Sequence, residues 1–391
     1  MYESTGAFVS RLAFVWPALI AQSASELSAA CSKQLVEIVI GPETDFVACE
    51  PNWATPNTVA LELTTVRLRD FSLDRRQPPA LVCTPYALHA SNTVDFAPEH
   101  SLMETLRGAG LRHLFATDWR SAEPTMRYLG IDAYISDLNV LVDELGGRTD
   151  LIGVCQGGWM ALVYAVRFPT KVRKLVIAGA PVDIFAGQSR LSVLAGMAPT
   201  AFFQQLVGAG EGRVLGRQVR KFWCPRTIQP QEIHRILETA EEIGSPGFDH
   251  LEAGFRNWEN CMLDLPGTYY LEVVERLFKN NDLAAGRFIA LGRRIDLALF
   301  NAPIFLLAAG DDEIVAPEQL FATATLIGTS AHFIARDTAP CSHLGLFIGK
   351  NVLRQNWSAI PRWIITDEFV ENRNLKPRER HASAGHWLRA G

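Results

Sequence analysis

The stretch from Asp150 to Asp183, DLIGVCQGGWMALVYAVRFPTKVRKLVIAGAPVD, restricts the fold more than any other part of this chain. The apolar pair Leu151-Ile152 runs into Gly153-Val154-Cys155-Gln156-Gly157-Gly158. A helical pattern follows from Trp159 to about Arg167, Phe168-Pro169 ends it, and a second apolar run covers Leu175 to Ala178. The order is strand, tight turn, helix, strand. The turn spells G-x-C-x-G, a nucleophile elbow with cysteine where serine is usual. Such a turn holds its central residue in a strained conformation, and strand and helix approach so closely that the residues two before and two after must be very small. Gly153 and Gly157 meet that demand, and Gly158 lets the helix settle onto the sheet. The free N–H groups at the helix start face Cys155 and favour thiolate over thiol. A buried structural cysteine would account for the thiol but not for the glycines around it.

The surrounding chain repeats the alternation. Val59 to Leu73 has strand periodicity, and Ala80 to Cys83 is a short buried strand. A loop from Ala87 to Pro98 leads to a helix over Glu99 to Ala109. Leu114 to Thr117 is a strand and Asp132 to Leu145 an amphipathic helix. Ile304 to Ala308 and Ala331 to Ala335 read as the last two strands, and Gly349 to Ile364 as the closing helix. Strands alternating with helices imply an α/β architecture: an α/β-hydrolase fold, with a mostly parallel sheet, helices on both faces and an inserted, mainly helical cap. The expected division is an N-terminal helical segment at 1–58, the first part of the core at 59–184, the cap at 185–268, the second part of the core at 269–366, and a charged tail at 367–391.

In this fold the nucleophile, acid and base follow one another along the chain. Cys155, Asp312 and His343 have that order, each placed just after a strand. His343 would take and return the proton, and Asp312 would fix its tautomer. Asp311 is a rival for the acid. The oxyanion donors are expected to be the backbone N–H of Gln156 and that of Tyr86, in the loop after Ala80–Cys83. His89, in the same loop, is a candidate lining residue.

Composition narrows the partners. The formal charge of -5 on 391 residues gives no footprint for nucleic acid. The seven cysteines are scattered, without CxxC pairs, which argues against a disulfide framework or a metal site and for a reducing cytosol. No cofactor is called for. The apolar run from Ala7 to Ile20 reads as a surface helix of a cytoplasmic protein rather than a signal peptide, because nothing basic precedes Arg11 and Pro17 interrupts it.

Several segments resemble the polyhydroxyalkanoate (PHA) synthases and, more distantly, the intracellular polyhydroxybutyrate depolymerases, over roughly Pro79 to Trp363. Gly153 to Gly158 resembles the synthase box around the acylated cysteine. Pro98-Glu99-His100-Ser101-Leu102 carries a family serine onto Ser101, and Pro181-Val182-Asp183 carries an aspartate onto Asp183. Thr117 to Arg120, Tyr269-Tyr270 and Asn280 to Leu283 continue the likeness. Trp258, eight residues before Pro266 in Leu265-Pro266-Gly267, keeps the spacing of a synthase tryptophan to its L-P-G. Ser342-His343-Leu344-Gly345 resembles the segment of the family base. Two positions depart from the pattern: Glu313 stands where a histidine is usual, and Ser342 where a glycine is.

The resemblance implies an acyltransferase that polymerises 3-hydroxyacyl-CoA through an acyl-cysteine. His89, Ser101, Asp183 and Trp258 would line the substrate site. The alternatives are a cysteine-type intracellular depolymerase, thioesterase or esterase, and a non-catalytic protein of the PHA granule surface. The implied partners are 3-hydroxyacyl-CoA or the polyester, the granule surface, and a second copy of the chain or a second synthase subunit. Cap aromatics Phe202, Phe203, Phe222, Trp223 and Trp258 could form a dry channel or simply pack with one another.

Overall fold

The computed structural model describes residues 52–366 apart from 218 and 220–226. The expected N-terminal segment up to residue 51, the charged tail, and the cap residues Phe222 and Trp223 lie outside the described residues. Residues 52–57, which end the expected N-terminal helical segment, are not helical.

Among the described residues one sheet has eight strands: β1 (Thr58–Glu62), β2 (Val66–Asp70), β3 (Ala80–Cys83), β4 (Leu114–Trp119), β5 (Thr149–Val154), β6 (Val172–Ala178), β7 (Ile304–Ala309) and β8 (Ile334–Ala339). Their spatial order is β1-β2-β4-β3-β5-β6-β7-β8. β1 pairs antiparallel with β2 and β2 with β4; every later pairing is parallel. This is the α/β-hydrolase arrangement.

The strand sequences explain why the sheet lies in the middle. β3, β4, β5 and β7 are buried at every residue, as expected of strands covered on both faces. Alternation sends successive side chains to opposite sides. Leu81, Phe115, Leu151, Leu175 and Leu306 face a core built on the helices α2 (Ile131–Glu144) and α3 (Gln156–Arg167). Val82, Ala116, Ile152, Val176 and Leu307 face the other core, with α1 (Leu102–Gly108) and the C-terminal segment around Leu353, Trp357 and Trp363. Each fully buried aliphatic side chain here contributes about 1.5–3 kcal/mol. The outer strands are less covered: β1 is largely exposed and β8 alternates.

Several boundaries differ from the sequence reading. Val59–Leu73 is a hairpin, β1 and β2, rather than one strand. The last strand begins at Ile334, because Ala331–Phe333 is a 3-10 turn. The closing helix is broken into Lys350–Gln355 and Ile360–Ile365.

Between β6 and β7 the chain leaves the sheet. It forms α4 (Arg190–Met197), α5 (Thr200–Ala209), α6 (Pro230–Leu237), α7 (Pro246–Asn260) and α8 (Gly267–Glu272), the last running directly into a π-helical stretch, Val273–Lys279. Two short antiparallel pairings, Arg213–Val214 with Leu265–Pro266 and Ile289–Ala290 with Arg293–Arg294, are strand content here that the sequence does not reveal. Phe202 and Phe203 are buried, with ring centroids 5.3 Å apart.

Cys261, which follows α7, is disulfide-bonded. Cys83, Cys155 and Cys341 are free. One bonded cysteine is an addition that the scattered spacing did not indicate, and it is not a framework of bridges. A bridge requires Cα atoms within about 7 Å, and sequence spacing does not report that proximity. Among the described residues no single helix is long and apolar enough to cross a membrane.

Candidate active site

β5 ends at Val154 and α3 begins at Gln156, so Cys155 alone makes the turn. It does so with φ 50° and ψ -125°, a conformation rarely adopted by a side-chain-bearing residue. The turn is held from both sides: the Cys155 N–H donates to the Ala178 carbonyl at 2.9 Å, and the Gly158 N–H donates to the Cys155 carbonyl at 2.9 Å. The glycines are required by proximity. A Cβ on Gly157 would collide with the Cys83 carbonyl oxygen and stand 2.6 Å from that of Thr84. One on Gly153 would stand 2.6 Å from the Cα of Gly158. Strand β3, the elbow and helix α3 are thus in direct backbone contact, and Cys155 is left half-buried at the carboxyl end of the sheet.

The loops after β7 and β8 bring the other two side chains. They are tied to each other where the Gly310 N–H donates to the Ala339 carbonyl at 2.7 Å and the Asp311 N–H donates to the Cys341 carbonyl at 3.0 Å. Asp312 folds back on its own turn, and its Oδ1 accepts from the N–H groups of Ile314 (2.9 Å) and Val315 (2.8 Å). Its Oδ2 lies 2.7 Å from His343 Nδ1. The opposite ring nitrogen, Nε2, lies 3.2 Å from Cys155 Sγ. Asp311 is exposed, and Asp312 is the one of the pair that meets the imidazole. A carboxylate at Nδ1 requires a proton there, which leaves Nε2 either to accept from the thiol or to donate to the thiolate. Burial alone would push His343 down, but the Asp312 carboxylate and the Cys155 sulfur together outweigh it and hold the imidazole well above its ordinary range. The edge of Phe347 packs against the ring at 5.4 Å.

Cys155 and His343 open into a cavity of about 280 Å³, and Asp312 lies behind the imidazole, outside the lining. Tyr86 and Gln156, the expected oxyanion donors, both line it. Gln156 is the first residue of α3, where backbone N–H groups have no partner within the helix. Tyr86 sits in a buried cluster of phenols: its OH donates to the Arg120 carbonyl at 3.2 Å and accepts from the OH of Tyr134 at 3.1 Å. The Tyr269 OH donates to the Tyr86 carbonyl at 3.3 Å. Tyr269 also lines the cavity; its link to the Tyr86 loop spans 183 residues and leaves no local trace in the sequence.

His89 and Trp258 line the cavity and stack on each other, with centroids 4.4 Å apart and planes 21° from parallel. The Trp258 indole donates to Thr93 Oγ1 at 3.1 Å, which fixes the stack. Ser101 and Asp183 are not among the residues lining the cavity. Ser101 is the N-cap of α1: its Oγ accepts from the Glu104 N–H at 2.8 Å and donates to buried Asp95. Asp183 anchors the loop after β6, accepting from the Phe185 N–H at 3.1 Å and from Asn281 Nδ2 at 2.7 Å. Among the described residues no cluster of His, Cys, Asp and Glu could hold a metal ion.

Residues 37–363 match the model of the family DUF3141, described as a protein of unknown function. The chain belongs to that family. The DUF3141 chain is also homologous to proteins named "Poly(3-hydroxyalkanoate) polymerase subunit PhaC". It is 27% identical to the one from Synechocystis over 298 residues, 73% of this chain and 75% of that protein. To the one from Allochromatium vinosum it is 24% identical over 296 residues, 73% of this chain and 78% of that protein. Of the solved structures, the epoxide hydrolase of Bacillus megaterium superposes with a TM-score of 0.51 at 18% identity, covering 79% of this chain and 99% of that one. That likeness concerns the fold alone, and it agrees with the strand order of the DUF3141 chain.

Proposed function

We propose that this protein is a PHA synthase-like acyltransferase that moves 3-hydroxyacyl groups from CoA thioesters through Cys155. The observation that carries the reading is the continuous line Cys155 Sγ–His343 Nε2 (3.2 Å) and His343 Nδ1–Asp312 Oδ2 (2.7 Å) at one end of an apolar cavity. The homology to proteins named as polymerase subunits supports this substrate class.

In this reading the Cys155 thiolate attacks the thioester carbonyl. The N–H groups of Gln156 and Tyr86 receive the charge that develops on oxygen. The C–S bond to CoA then breaks, and the CoA sulfur leaves with the proton of His343 Nε2. In the second half His343 takes the proton of an incoming hydroxyl, whose oxygen attacks the acyl-cysteine and frees the thiolate. Asp312 keeps the ring turned and stabilises its cation throughout. An alcohol at the chain end or on a second monomer gives an ester and lengthens a polymer. Water gives a free acid. Apolar walls favour the first outcome by excluding water.

Purified protein incubated with 3-hydroxyacyl-CoA separates these readings. CoA release with an ester-linked oligomer or insoluble product supports the synthase-like activity. CoA release with only free acid replaces it with a thioesterase. No CoA release, with no attack on amorphous polyester, leaves a granule-surface protein without catalysis.

A further inference from the structure

We propose that Tyr269 is a positioning residue for acyl transfer: its hydroxyl, brought in on helix α8, holds the Tyr86 peptide so that the Tyr86 N–H faces the oxygen of a substrate bound at Cys155. The inference deepens the reading above and rests on its choice of Tyr86 as an oxyanion donor. The Tyr86 N–H donates to no group among the described residues, which leaves it available to that oxygen. A donor in a loop is not aimed by a helix or a sheet, and a donor stabilises developing charge only when it is aimed beforehand. Side chains supply the aim here. The Tyr269 hydroxyl donates to the Tyr86 carbonyl at 3.3 Å, and the Tyr86 hydroxyl donates to the Arg120 carbonyl at 3.2 Å. Tyr86 is thus held both at its main chain and at the tip of its ring.

Tyr269 is itself firmly placed. Its N–H donates to the Leu129 carbonyl at 3.1 Å, and Glu272, the last residue of α8, accepts from the Ile131 N–H at 2.6 Å, so α8 is anchored on the start of α2. The Tyr269 ring packs against those of Tyr86 and Tyr134 with centroids 5.0 and 4.8 Å away. Met160 Sδ lies 3.7 Å from the Tyr269 hydroxyl, but a thioether accepts weakly, which leaves the proton to the Tyr86 carbonyl. Burial, with the neighbouring Tyr134, Cys83 and Cys155 adding to it, pushes the Tyr269 phenol well above its ordinary range. The hydroxyl therefore keeps its proton, and stays a donor, wherever the thiol can react. Ring packing alone would be served equally by phenylalanine. The hydroxyl has a polar target, and that target is the backbone of the oxyanion loop.

The test compares the full chain with its Tyr269→Phe variant. Cys155 acylation is followed with 3-hydroxybutyryl-CoA and with p-nitrophenyl butyrate. Thiol exchange with methyl methanethiosulfonate, which has no carbonyl and needs no oxyanion donor, is measured on the same preparations. Removing a donor outright costs about 10²- to 10³-fold, so a misaimed one should lower kcat for acylation by about 10- to 100-fold. KM, and the rate and pH profile of thiol exchange, should stay within about twofold of wild type. The loss in kcat should be the same from about pH 6 to about pH 9, since the phenol does not titrate there. Tyr134→Phe removes a hydroxyl from the same cluster but leaves the Tyr269–Tyr86 bond, and should keep kcat within about threefold. Unchanged kcat in Tyr269→Phe, equal losses in the two variants, a loss that varies with pH, or thiol exchange that falls in parallel with acylation each overturns the proposal. If the nitrophenyl ester acylates wild-type Cys155 and the CoA thioester does not, the acyl-CoA reading falls, and the nitrophenyl rates still decide the role of Tyr269. Wild-type Cys155 acylated by neither removes both.

Discussion

His343 Nε2 stands 3.2 Å from Cys155 Sγ, although 188 residues separate the two in the chain. Such a contact has consequences for both partners. Cys155→Ala should abolish CoA release, and His343→Gln should lower it by about 10³- to 10⁴-fold while slowing iodoacetamide alkylation of Cys155. Single-turnover acylation followed by intact mass measures both. Full turnover in Cys155→Ala would remove the thiol from the mechanism.

Asp312 and Asp311 are neighbours with different surroundings, so they make a paired test. Asp312→Asn keeps the shape but presents an amide to Nδ1, and turnover should fall by about 10²- to 10⁴-fold. Asp311→Asn, altering an exposed side chain, should change turnover by less than about twofold. Equal losses in the two variants would contradict the assignment of the acid.

Cys83 and Cys341 provide an internal standard for thiol reactivity. Burial pushes each thiol up to about 12, so neither supplies thiolate near neutral pH. In the native protein, peptide-resolved alkylation should modify Cys155 at least about 100-fold faster than either one. Comparable rates at Cys83 would mean that the sheet opens beneath the elbow.

Gly157→Ala should be among the most damaging single changes. The added methyl would meet the carbonyl oxygens of Cys83 and Thr84, which belong to backbone that cannot swing aside. A loss of about 4 kcal/mol or more, or failure to fold, is expected in denaturant titration. A loss below about 1 kcal/mol would show that β3 and α3 can separate at the elbow.

His343 also links stability to pH. Its folded-state value is raised, so between the ordinary histidine range, about 6.5, and that raised value the folded chain holds a proton that the unfolded chain releases. The associated stability is fully present below about pH 6.5 and is lost as pH rises through the folded value, by up to about 1.4 kcal/mol per pH unit. The stability difference between wild type and His343→Gln should therefore shrink toward alkaline pH. A difference that widens would indicate a neutral imidazole in the folded state.

Much of this was legible in the sequence because the elbow couples identity to geometry. Only glycine fits at 153 and 157, and the buried runs at β5, β6 and β7 declare themselves by composition. Asp312 could not be separated from Asp311 by pattern, since the choice depends on which carboxylate turns back to collect the N–H groups of Ile314 and Val315. Ser101 carried a local signal that pointed elsewhere: with Glu104 three residues on, it has the spacing of a helix cap. β8 is displaced from the expected Ala331–Ala335 because an edge strand tolerates Arg336, Asp337 and Thr338, which hide it from an apolar search. The Tyr86–Tyr134–Tyr269 cluster is assembled by three distant segments, and no local periodicity encodes it.

Asp312 and His343 hang from β7 and β8, whereas the thiol arrives with β5. A ribosome that has delivered the chain as far as β6 has therefore made a cysteine without either of its helpers. The thiol meets the imidazole and the carboxylate only when the far edge of the sheet is laid down, so the contact at Cys155 depends on the last strands to emerge.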